Sequence, residues 1–205
     1  PLESVGAVAT KLHFILPPTF ASGWEHGQSM LVCEAESSGQ RKLISVLKTS
    51  GTYACEEEDL AAIEALRKFP ALLASGMLTL NRGEFLRLLP VLQNHPRVTF
   101  GKTTPVKISL STLRPTLHLQ QKIESRISAR VELPTDATLL AEGTDAWLLR
   151  DQQFIRCAEA LTPQAAELLT EPRTYEGDRA LRFPALDLRH LRGPFALVPA
   201  HNGLV

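Results

Sequence analysis

The sequence predicts an α+β protein built from antiparallel sheets with a few short packed helices and a strand-rich C-terminal half. Three observations lead there. Residues 114–134, "RPTLHLQQKIESRISARVELP", alternate apolar and polar side chains with period two, the pattern of antiparallel strands with one wet face. Two earlier stretches, "EEEDLAAIEALRK" and "NRGEFLRLLPVL", carry helix grammar instead. Finally, no crossover helices lie between the late strands, as parallel pairing there would require.

Each element has a local cause. "KLHFIL" (11–16) and "MLVCEA" (30–35) read as strands separated by "PPTFASGWEHGQS", whose Pro and Gly residues punctuate a loop. A third strand is expected over 41–48, "RKLISVLK", with both faces covered. Helix 56–68 has acids at its start and Arg67 and Lys68 at its end, both favourable to the helix dipole, and Leu60, Ile63 and Leu66 give it an apolar face. Asn81 caps the next helix with Glu84 reaching back, while Phe85, Leu88, Leu89 and Leu92 fall at i, i+3, i+4 and i+7. Pro90 lacks the N–H that would bond the Leu86 carbonyl, so this helix should kink or restart. Met77–Leu80 and Arg97–Phe100 flank it as strands, and 103–109 is extended.

In the second half the odd positions Leu117, Leu119, Ile123, Ile127, Ala129, Val131 and Leu133 are apolar. "AWLLR" and "QFIRC" flank a turn near Asp151 and Gln152, and Thr162 with Pro163 opens a helix to about Leu169. Residues 178–191 are ambiguous between helix and loop, with Pro184 excluding one continuous helix. Two lobes follow, 1–112 and 113–205, or one continuous domain.

The composition narrows function. With 22 basic and 22 acidic residues the chain has no net charge to gather a phosphate backbone by itself. Cys33, Cys55 and Cys157 are widely spaced and form no zinc-ligand pattern, as in a cytoplasmic protein with reduced thiols. No apolar run approaches the length of a membrane span, and no signal-peptide pattern opens the sequence, so no membrane partner is expected. An initial Pro1 and a final apolar run, "FALVPAHNGLV", together suit a piece of a longer polypeptide.

No Gly-rich phosphate loop occurs, and no catalytic residue, cofactor or metal site is predicted. The acids Glu56 to Asp59 read as dipole-complementing rather than as a cation site. Cys33 with His13 or His26 is a nucleophile pair only if the fold unites them, and Cys33 in "LVCEA" reads as core. His13, His26, His95, His118, His190 and His201 lack metal-ligand spacing. Lys122, Arg126 and Arg130 share one strand face and form the candidate nucleic-acid contact, diluted by Glu124 and Glu132 on that face.

The run "GMLTLNRGEFLRLLPVLQNHPRVTFGKTTPVKISL", then "RPTLHLQ" and "DAWLLRDQQFIRCAEALTPQAAELL", resembles the N-terminal accessory region of bacterial SWI/SNF-type (superfamily two) helicases, over roughly residues 72–170. The shared order is a leucine-rich helix, an "hPRV" strand, paired strands and a "W-x-L-x-D" hairpin. The resemblance implies a non-catalytic region that scaffolds or positions a partner or DNA. Its partners would be a downstream ATP-dependent motor in the same polypeptide and, weakly, DNA. No ATP-binding residue carries over, because nothing of the motor lies in these 205 residues. The alternative is a stand-alone bacterial interaction or specificity module.

Overall fold

The computed structural model describes residues 8–47, 52–109, 113–123, 125–157 and 161–199. The chain forms two compact units, residues 1–108 with 152–154, and 109–151 with 155–205. The division falls slightly before the expected boundary at 112. Residues 152–154 belong to the first unit because Phe154 enters its aromatic core, with ring centroids 5.5 Å from Phe20, 5.7 Å from Phe85 and 5.9 Å from Phe100.

The first unit is organised by one antiparallel pair, Val8–Leu16 (β1) and Gln28–Ser37 (β2). Between them lies a short helix, Phe20–Glu25 (α1), where the sequence predicts only a loop; Phe20 and Trp24, one turn apart, are both buried. Gln40–Leu43 (β3) is shorter than the predicted third strand. It gives way to a 3-10 turn, Ile44–Val46, that buries Ile44 and exposes Val46; Lys48 lies outside the described residues. Tyr53–Cys55 (β4), Glu57–Leu66 (α2), Pro70–Ser75 (α3) and Met77–Asn81 (β5) follow. Gly76 closes α3 in the left-handed conformation, and a Cβ there would meet Leu43 at 2.9 Å, so only glycine fits.

The helix Arg82–Leu88 (α4) starts with the predicted capping box between Asn81 and Glu84. It tightens at Pro90 into a 3-10 turn, Leu89–Leu92, and Phe85, Leu88, Leu89 and Leu92 are all buried. The short strands Val98–Phe100 (β6), Thr104–Pro105 (β7) and Lys107–Ser109 (β8) complete this half.

Pairing departs from a purely antiparallel scheme. β1 pairs in parallel with β4 at Val8–Thr10 and with β6 at Phe14–Leu16. On the other side, β2 pairs antiparallel with β5 at Gln28–Val32 and with β3 at Glu34–Ser37. Two long central strands are thus each flanked by two half-length strands set end to end. Between β4 and β6, residues 11–13 of β1 face no strand on that side.

The second unit is built on Thr116–Ile123 (β9) and Arg126–Glu132 (β10), with Thr138–Glu142 (β11), Asp145–Arg150 (β12) and Gln153–Arg156 (β13) next in the chain, the first two residues of β13 belonging to the first unit. Asp151 and Gln152 form the predicted turn between β12 and β13 at φ 47° and 62°, a conformation that usually selects Gly or Asn. Thr162 caps Pro163–Thr170 (α5) by accepting a hydrogen bond from the Ala165 N–H. Arg173–Glu176 (β14), Asp178–Arg182 (α6), Asp187–Leu191 (α7) and Ala196–Pro199 (β15) follow, so the ambiguous segment resolves into two helices parted around Pro184.

One sheet of this unit has the order β14-β10-β9-β15, antiparallel except for the parallel β9–β15 pair. Its inner face carries Leu117, Leu119, Ile127 and Ala129. These join Leu168 of α5, Ala180 and Phe183 from α6 and its end, and Leu188 and Leu191 of α7 in one apolar cluster.

Candidate functional site

The gap beside β1 is where ionisable side chains converge. Leu12 there has no strand to take its N–H or supply its carbonyl partner, and a buried unpaired backbone group costs as much as a lost hydrogen bond. Side chains fill the role. Leu12 N–H donates to Asp59 Oδ1 at 3.2 Å, and Arg97 Nε donates to the Leu12 carbonyl at 2.9 Å. Arg97 Nη2 lies 2.8 Å from both Asp59 oxygens, and its Nη1 donates to Glu56 at 2.7 Å. His95 Nε2 is 2.9 Å from Asp59 Oδ1, while the Arg97 N–H donates to Nδ1 at 3.3 Å. Nδ1 therefore accepts, Nε2 carries the proton, and the ring is neutral.

This arrangement corrects the reading of α2. Its buried face is Asp59, Ala62 and Leu66, and Leu60 is 56% exposed. Asp59, fully buried, turns inward because it meets Arg97, His95 and a backbone amide, whereas Leu60 pointing there would leave all three unsatisfied. Of the four acids, Asp59 and, at the rim, Glu56 do more than complement the dipole: Glu56 accepts from Arg97 and pairs with Lys11, and Asp59 alone is buried. In chemical terms the cluster is saturated: both His95 nitrogens and both Asp59 oxygens are engaged, leaving no free base or nucleophile.

Two of the three thiols, Cys33 and Cys157, are equally withdrawn, and Cys55 is half-buried. Burial, with Asp59 behind it, pushes Cys33 up to about 12, and burial alone does the same to Cys157. Cys33 stands opposite Phe14 in the β1–β2 register, so His13, one residue along, projects from the other face, where its Nε2 meets Glu36 at 2.8 Å. His26 is at the end of α1 against the Ser22 carbonyl. The fold therefore keeps Cys33 away from the His13 imidazole. Among the described residues no group of three or more His, Cys, Asp or Glu side chains could hold a metal ion.

Lys122, Arg126 and Arg130 do not share one strand. β9 ends at Ile123 and β10 begins at Arg126, and the pairing runs from Ile123↔Arg126 directly to Gln121↔Ile127, which makes Lys122 the extra residue of a β-bulge. Continuous period-two alternation hid this turn, because both arms of the hairpin keep apolar residues at odd positions. Arg126 is paired with Glu176 at 2.6 Å. Arg130 is exposed beside His118, its register partner, and His118 lies 2.5 Å from Glu132. Glu124 and His201 lie outside the described residues. The outer face of this sheet is thus a mixed polar surface: Gln120, Ser128, Arg130 and Thr174 line a shallow depression on it.

A second basic surface was not singled out from the sequence. Arg179 and Arg182 on α6, Arg189 on α7 and Arg192 just past its end are exposed, and none is in an ion pair among the described residues. The signal available was density: four arginines against two aspartates within 178–192.

Comparison with known proteins adds no identity. No family model, curated protein or solved structure matches the chain. No helix of the described residues is long and apolar enough to cross a membrane.

Proposed function

We propose that this chain is a non-catalytic accessory region that positions a partner or DNA for an ATP-dependent motor of the bacterial SWI/SNF type. The observation that carries the reading is the use made of the buried ionisable groups. Asp59 and His95, which elsewhere would be candidates for acid–base chemistry, are consumed with Arg97 in completing the ladder of β1. What is left for function is surface. The order of elements over residues 72–170 supports the motor-associated form of the reading: a capped leucine-rich helix, the Val98 strand after the His95–Arg97 turn, paired strands and the Trp147 hairpin.

Two measurements test it. The purified chain should turn over no ATP, since it has no phosphate cradle. Labelled duplex DNA should bind weakly and lose affinity by about 0.9 in log units per log unit of salt for each phosphate neutralised. Changing Lys122, Arg126 and Arg130 to Ser should shift that slope if the hairpin makes the contact. Absence of duplex binding at low salt would favour the second reading, a stand-alone interaction module, which the exposed Leu181 and Leu186 support.

A further inference from the structure

The first unit presents an acidic surface with a leucine at its centre, and the second a basic surface with leucines of its own. On α2, Leu60 is exposed between Glu57, three residues before it, and Glu64, four residues after; all three lie on the side of the helix away from Asp59, Ala62 and Leu66. Residues at these spacings are neighbours on a helix surface. Glu57 and Glu58 have no ion-pair partner among the described residues, and Glu64 holds only the exposed Arg67. Such a surface pair contributes at most about 1 kcal/mol and yields readily to a better partner.

On the second unit, Leu186 is 58% and Leu181 66% exposed. The Leu186 N–H bonds back to the Arg182 carbonyl, which sets Arg182 one turn before it, and Arg189 and His190 follow three and four residues later. The opposite sides of these helices are fixed in the core by Ala180, Phe183, Leu188 and Leu191, so the outward sides face away from that same core as one surface. Arg179 is held over the Tyr175 ring at 5.3 Å. Arg41, Arg67, Arg97, Arg126, Arg150 and Arg173 each have a carboxylate partner, and the arginines without one among the described residues, such as Arg87, Arg114 and Arg130, lie apart from one another in sequence, whereas these four fall within fourteen residues. Four neighbouring arginines without one, around two exposed leucines, form a surface lacking its complement.

We propose that the complement is α2 of a second copy of this chain: Leu60 packs against Leu181 and Leu186, with Glu57 and Glu64 meeting Arg182 and Arg189. A leucine flanked by carboxylates matches leucines flanked by guanidinium groups in both charge and polarity, and Arg–carboxylate pairs are the strong, directional kind. Phosphate alone would satisfy the arginines but give the leucines nothing to bury against. The contact is heterologous, using a different surface on each copy.

Sedimentation equilibrium of the chain across concentration and salt tests this. Wild type should associate reversibly, and the associated species should be lost as salt rises. Glu57→Lys with Glu64→Lys should abolish association, and so should Arg182→Glu with Arg189→Glu, each with unchanged circular dichroism. The two double variants mixed should associate again, because one contributes the intact basic surface and the other the intact acidic one, and the two reversed surfaces are also complementary to each other. A wild type that stays monomeric at the highest concentration overturns the proposal. So does association that survives either charge reversal, or a mixture that does not associate.

Discussion

The two units solve the same problem, a sheet with a buried face, by different means. In the second, β10 pairs with β9 along its length and with the single strand β14 over Arg126–Ala129, and its core cluster is hydrophobic. In the first, β1 is served on one side by two half-length strands with a gap between them, and buried charge closes the gap. Every buried polar or charged residue found among the described residues, Thr10, His13, Ser29, Asp59 and His95, belongs to the first unit. The difference teaches that buried ionisable groups can be a consequence of strand economy. Where short strands fail to cover a ladder, side chains must.

The comparison breaks most directly at Asp59. Asp59→Ala strips Arg97, His95 and the Leu12 amide of a common partner, and removing one member of a buried ionic cluster costs about 3–5 kcal/mol. Chemical denaturation should show that loss in the first unit; a change under half a kcal/mol would mean the ladder gap is served by water instead. Leu117→Ala is the matching insult to the second unit. Leu117 is fully buried, so the cost should be about 2–5 kcal/mol with no pH dependence of its own.

Acid distinguishes the units further. Burial holds the His95 imidazole below its ordinary value, and burial with Arg41 does so for His13. A histidine kept neutral in the fold contributes full stability above its unfolded value of about 6.5, and that contribution is lost as pH falls toward the lowered folded value, since the unfolded chain binds the proton first. Denaturation midpoints followed from pH 7.5 to 5 should therefore fall, and His95→Gln should flatten the profile. A profile equally steep in His95→Gln and His13→Gln together would place the titrating groups elsewhere. The smallest effect belongs to Leu60: exposed where a core leucine was predicted, it should tolerate Leu60→Ser within about 0.5 kcal/mol in the monomer. A larger loss would restore it to the core.

What the sequence determined by itself was local. The capping box at Asn81, the buried quartet of α4, the change of geometry at Pro90, the Thr162 cap and the inward odd positions of β9 and β10 are all written within a few residues of where they act. Helix and strand periods and caps depend on neighbours three or four positions away, so they survive being read one segment at a time. The tertiary structure decided which segments met. Asp59 was set among surface acids by its neighbours in sequence, and became the most constrained carboxylate because Arg97 and Leu12, 38 and 47 residues distant, arrive at it. The hairpin turn that separates Lys122 from Arg126 leaves no mark in the pattern, because alternation is the same in one strand or two. Parallel pairing of β4 and β6 with β1 has no local signature at all. A gap in a ladder exists only once the strands on either side have been placed, and only then can a buried charge be seen as the hydrogen-bond partner the backbone required.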